Sequence, residues 1–266
     1  MFVLALTRPA PLDDAEVGRL AQDLGSTPYE TRMLVSGGLP AILLTAADVA
    51  RVTAVGDRLR ARGHAAMVLD GALVTSSEEM VAVRRPSFGP GGLGADEARP
   101  NEILPYDDVL ALVRAVHKSS TRTKEKTTEL KFNPGRAMAL GPMFAMQRTT
   151  TEVSKAVEQR ENVLYLFRRS GERPWIFAEN GAVYTGLGQD LAPTRMANFQ
   201  RVVARLRELC RHAQFDDRLL AHKRIPEHLA SGPNGRWLET SSSPGVDLIA
   251  HVVAAWIAQA QSTPYR

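Results

Sequence analysis

Cysteine is almost missing from this chain: Cys210 stands alone among 266 residues. A disulfide framework is thereby excluded, as expected of a protein kept in a reducing compartment. Long apolar runs are missing as well. Met1–Leu6 stops at Thr7-Arg8-Pro9 with no basic stretch before it, and Leu248–Ala260 is interrupted by His251 and too short to cross a bilayer. Neither a signal peptide nor a membrane span is expected, and the location expected is cytoplasmic. Lysine is scarce too, supplying six of the 33 cations while arginine supplies 27, against 29 acidic residues and a net charge of +4. Such a bias follows from a GC-rich coding sequence as readily as from a phosphate-binding surface.

Catalytic signatures are the next absence. The chain has no GxSxG, no Walker loop and no HExxH. Asp107-Asp108 and Asp216-Asp217 are adjacent, so their carboxylates point apart and cannot share a proton. His64, His117, His212, His222, His228 and His251 lack the spacing of a zinc site. Cys210 sits on an apolar helical stripe, as a small hydrophobe would. Gly89–Gly94 matches GxGxxG, but no buried strand precedes it and no helix follows, so it reads as a linker. No catalytic residue, metal ligand or cofactor is assigned.

What is present is a folded chain with 44% apolar residues, long enough to bury roughly 70–75% of its unfolded surface. Arg84–Asn101 is rich in glycine and proline without apolar periodicity, which marks a linker between residues 1–83 and a larger remainder. Residues 1–83 read β-α-α-β-α-β. Phe2–Thr7 is a strand; Asp13 and Glu16 form a capping box; Thr27-Pro28-Tyr29-Glu30 is a stronger one; Pro40–Leu44 is a buried strand; Asp48 opens a helix that Gly63 stops; Ala65–Leu69 is a third strand. The expected core is Leu4, Leu20, Leu24, Leu34, Ile42, Leu44, Val52, Val55, Leu59 and Val68.

That order resembles the C-terminal domain of the ribosomal stalk protein and the related Clp protease adaptor fold. The matching runs are Leu20–Gly25, Tyr29–Val35, Pro40–Leu44 and Leu59–Ala65. The resemblance covers about 60 residues and implies a small α/β module that docks proteins or peptides.

Residues 102–230 read as an α+β domain, followed by a loop and final helix over 231–266. Asp107–Phe132 is strand-forming, and Glu161–Arg168 with Pro174–Ala178 makes a hairpin. Thr194–Ala213 carries Phe199, Val202, Val203, Leu206 and Leu209 on one stripe, expected to pack on the sheet that contains Tyr165, Phe167, Trp175 and Phe177. Strands and hairpin followed by one amphipathic helix resemble a pleckstrin-homology-like domain.

Arg114, Lys118, Arg122, Lys124 and Lys126 are all even-numbered, so an unbroken strand places them on one face as a candidate binding ribbon. The overall expectation is an α+β, non-enzymatic adaptor or regulatory protein docking a protein or peptide. The alternatives are a binder of nucleic acid or an anionic surface through the ribbon, and an enzyme with dispersed catalytic residues. Oligomerisation is left open.

Overall fold

The computed structural model describes residues 1–96, 101–132, 146–223, 228–231 and 237–262, by backbone alone over 122–132, 146–156, 228–231 and 237–239. The fold is α+β, as expected. It divides into one compact unit of residues 1–117, 160–227 and 242–266 and another of 118–159 and 228–241.

The larger unit begins with β1 (Phe2–Arg8), α1 (Asp14–Leu24), α2 (Pro28–Val35), β2 (Ala41–Ala46), α3 (Val49–Ala61) and β3 (Ala65–Asp70). The start signals act as local chemistry dictates. The Thr27 hydroxyl accepts from the Glu30 N–H while the Glu30 carboxylate accepts from the Thr27 N–H, completing a capping box. Asp13 accepts from the Glu16 N–H at 2.7 Å, but Glu16 turns inward instead of returning the bond. The three strands form an antiparallel sheet ordered β2-β1-β3. Strand alternation sends Leu4, Leu6, Ala41, Leu43 and Ala66 into a core with Leu20, Val52, Val55 and Leu59 of the helices. Leu34, Ile42, Leu44 and Val68 of the expected core are only partly buried.

The opposite face of that sheet is also covered, since Val3 and Ala5 are fully buried. Ile42 joins the core around the final helix, α5 (Ser243–Ser262). A second tie is His222, whose Nε2–H donates to the Pro40 carbonyl at 3.0 Å while the Lys223 N–H donates to Gly37. Gly38 must be glycine there: its φ is +124°, and a Cβ would lie 3.0 Å from the His222 ring. The N-terminal module thus shares one compact unit with the sheet that follows it.

The main sheet of this unit runs through β8 (Val109–Phe132), β9 (Met146–Arg168), β10 (Trp175–Ala178) and β4 (Val81–Ala82), with β11 (Gln214–Asp216) parallel to β8. Leu164, Leu166, Trp175 and Phe177 face α4 (Arg195–Leu209), whose Phe199, Val202, Val203 and Leu206 are buried against them. Tyr165, Phe167 and Ile176 face α5. The helix therefore packs on the sheet that contains all four aromatics, with Trp175 and Phe177 on its own face and Tyr165 and Phe167 on the other. In β9 odd and even residues alternate, and the pairing of Trp175 with Leu166 sets which face each aromatic of β10 takes.

The glycine-rich run expected as a linker is folded over its described residues, 84–96. Strands β5 (Ser87–Gly89), β6 (Gly92–Gly94) and β7 (Ile103–Leu104) form a small antiparallel sheet that buries Leu93 and Ala95 in the α4-side core. Residues 97–100 lie outside the described ones. In the smaller unit, β12 (His228–Ser231) pairs antiparallel with β13 (Trp237–Ser241), and β13 with the Ser119–Thr123 part of β8. Of that pair, β13 occupies part of the stretch read as a loop before the final helix. No helix among the described residues is long and apolar enough to cross a membrane.

Candidate functional site

Three polar features of the larger unit stand apart from its packing. The first lies on the α5 face of the main sheet. Tyr165, fully buried, donates its hydroxyl proton to Asp247 Oδ1 at 2.6 Å. The Tyr165 hydroxyl oxygen, its proton given to Asp247, lies 2.6 Å from His117 Nε2 and accepts from it, so the imidazole carries its proton on Nε2. The second carboxylate oxygen of Asp247 accepts from the Ser77 N–H at 2.8 Å. One turn later on α5, His251 Nδ1–H donates to the Asp247 carbonyl at 2.8 Å, and its Nε2 accepts from the Thr75 N–H at 3.2 Å. The ring meets Phe167 edge-on at 5.0 Å. Burial, then the neighbouring Asp247, pushes the Tyr165 hydroxyl well above its ordinary range. Burial holds both His117 and His251 below the usual histidine value, with Asp247 pulling the other way. Each buried donor in this group has found an acceptor, and the His117 side chain, 12% exposed, and the half-buried His251 lie nearest solvent.

The second feature is Glu16. Its Oε1 accepts from His64 Nε2 and Arg62 Nε, each at 2.8 Å, and its Oε2 from Arg19 at 2.8 Å. His64 Nδ1 in turn accepts from the Ala10 N–H, and Arg62 reaches Asp23 at 2.6 Å. Burial opposes ionisation of Glu16, but the hydrogen bonds from His64, Arg62 and Arg19 outweigh it and hold the carboxyl down at about 2. A folded-state value below the ordinary 4.5 means that Glu16 stabilises the protein above about pH 4.5. That stability drains away as pH falls toward 2. Denaturant titrations at neutral and low pH should show a loss on the order of 2–3 kcal/mol that Glu16→Gln lacks. An equal acid loss in the variant would place the effect on other carboxylates.

The third feature is an edge. Among the described residues β3 pairs with β1 alone, and its composition, Ala65-Ala66-Met67-Val68-Leu69-Asp70, includes neither proline nor lysine to blunt the other side. Beside it opens a cleft of about 240 Å³ lined by Thr7, Arg60, Ala65, Met67, Trp256 and Gln259. Trp256 is held from behind by Arg218, stacked 4.7 Å over its ring and paired with Asp216 at 2.8 Å. Arg60 donates to the Ala66 carbonyl at 2.9 Å and pairs with Asp57 at 2.6 Å.

Arg114, Lys118, Arg122, Lys124 and Lys126 all lie along the one strand β8. Arg114 is half-buried on the α4 side of β8, its guanidinium 5.8 Å from the centre of the Phe199 ring and its Nε covered without an acceptor. Lys118 is exposed in the smaller unit, and the side chains of Arg122, Lys124 and Lys126 lie outside the described residues. Cys210 ends α4 buried, where burial and then Asp107 push its thiol up to about 11. Among the described residues no three His, Cys, Asp or Glu side chains cluster as metal ligands would.

Sequence reading missed the Asp247 group. Its one legible signal is Asp247 and His251 at i, i+4 on an apolar helix; His117 and Tyr165 join only through the sheet. No family model, curated protein or solved structure matches the chain.

Proposed function

We propose that the protein is an adaptor or regulatory protein that docks an extended peptide segment of a partner along the free edge of β3. The observation that carries this reading is a strand edge left without a second strand among the described residues, beside an apolar cleft. A peptide added to such an edge gains backbone hydrogen bonds without regard to sequence, and alternate side chains gain specificity by entering a neighbouring pocket. Here the edge supplies the first term. Met67 and Trp256 supply an apolar wall for the second. The buried polar groups around Asp247 and Glu16 satisfy one another, so both fit a role of holding this framework rigid.

The test is selection of extended peptides from a random library on the full chain, followed by affinity measurement on variants. Met67→Lys, at a half-buried position of the cleft wall, should weaken the selected peptides by roughly tenfold or more, as loss of an apolar anchor does. Tyr29→Ala, on the exposed surface of α2, should leave them unchanged. Selection of no peptide, or equal binding by both variants, defeats the proposal.

A further inference from the structure

We propose that His251 is a proton-operated latch on the segment joining β3 to β4, holding Thr75 when neutral and releasing it when protonated. The segment after β3 accounts for its backbone donors one by one. The Val74 N–H donates to Gly71, Thr75 to His251 Nε2, Ser76 to the Glu79 carboxylate, and Ser77 to Asp247 Oδ2. Two of these four bonds, therefore, end on side chains of α5. His251 can accept from Thr75 only while Nε2 bears a lone pair, because Nδ1 already carries the proton given to the Asp247 carbonyl. A second proton must go to Nε2, where it would point at another N–H. The hydrogen bond is then replaced by donor–donor repulsion, and a buried cation stands against Phe167.

Other titratable groups face this latch from every element packed on it. Asp247 lies on the same helix, His117 on β8, Tyr165 on β9 and Glu79 in the segment itself. Asp247 favours the protonated ring, but burial disfavours it more, so the neutral form prevails in the folded state. The sign follows: the folded protein binds this proton less readily than the unfolded chain. The latch is closed above the ordinary histidine value of about 6.5 and opens as pH falls below it. Opening frees Thr75 first and then Ser77, the stretch through which residues 1–73 join the main sheet.

Hydrogen exchange on the full chain, corrected for intrinsic rates, tests this between about pH 7.5 and 5.0, a range that brackets histidine titration. Protection of the Thr75 amide should fall on the order of tenfold across that range, with Ser77 following. His251→Gln keeps an acceptor but has no proton to gain, so its protection should stay within about twofold. His117→Gln should keep the wild-type fall. A flat wild-type profile, a fall that survives His251→Gln, or one abolished by His117→Gln would each overturn the latch. Should His251→Gln fail to fold, ring nitrogen shifts of His251 in the wild type decide: loss of Thr75 protection must track their titration, and loss without titration overturns the proposal.

Discussion

Replacing Phe199 by alanine should cost roughly 3–5 kcal/mol, the upper range for a buried aromatic truncated to a methyl. Phe199 is fully buried at the centre of the α4 face, its ring stacked on Phe177 at 5.5 Å with planes 10° apart. Removing it empties a space bounded by rigid strands β9 and β10, which cannot collapse inward. The Arg114 guanidinium also loses the ring beneath it, and its Nε, already without an acceptor, gains nothing in return. Urea denaturation should show the loss as a lower midpoint with an unchanged slope. Met196→Ala, on the same helix but 55% exposed, should stay within about 0.5 kcal/mol, as surface changes do. Similar losses for the two variants would mean that α4 does not pack on the sheet through Phe199.

Glu16→Leu should be of similar size, about 3–5 kcal/mol, for a different reason. The leucine fits an apolar environment, but His64, Arg62 and Arg19 are left with donors aimed at a missing acceptor. His64 suffers most: its side chain is fully buried, and its other nitrogen is already committed to Ala10. Arg62 retains Asp23 and Arg19 is exposed, so both have another recourse. The cost should therefore shrink markedly when His64→Leu is added, and a double-mutant cycle reads that coupling directly. Additive losses would show that Glu16 acts alone. Glu30, the partner of Thr27 in a fully solvated capping box, should matter far less than Glu16, although both look alike in sequence as third residues of a helix.

That contrast marks the division between what the sequence determined and what tertiary structure decided. Local chemistry was legible. Thr27-Pro28-Tyr29-Glu30 had to start a helix because its hydroxyl and carboxylate satisfy donors within one turn, and the stripe on Thr194–Ala213 had to bury one face. The order β-α-α-β-α-β and the α+β class followed from such signals, because each depends on residues a few positions apart. Register did not follow. Whether Tyr165 faces α4 or α5 turns on a single-residue alternation set by pairing with β10. Nor did the fate of Arg84–Gly94, where glycines that look like a tether instead allow strands β5 and β6 to approach closely, with Ser87 Oγ only 2.3 Å from where a Gly94 Cβ would stand. The groups that carry the chemistry were the least legible. His117, Tyr165 and Asp247 are 48 and 82 residues apart along the chain, and Glu16 and His64 are 48 apart. Only packing of sheet and helix brings them within hydrogen-bonding distance, and the water excluded there is what gives each bond its strength.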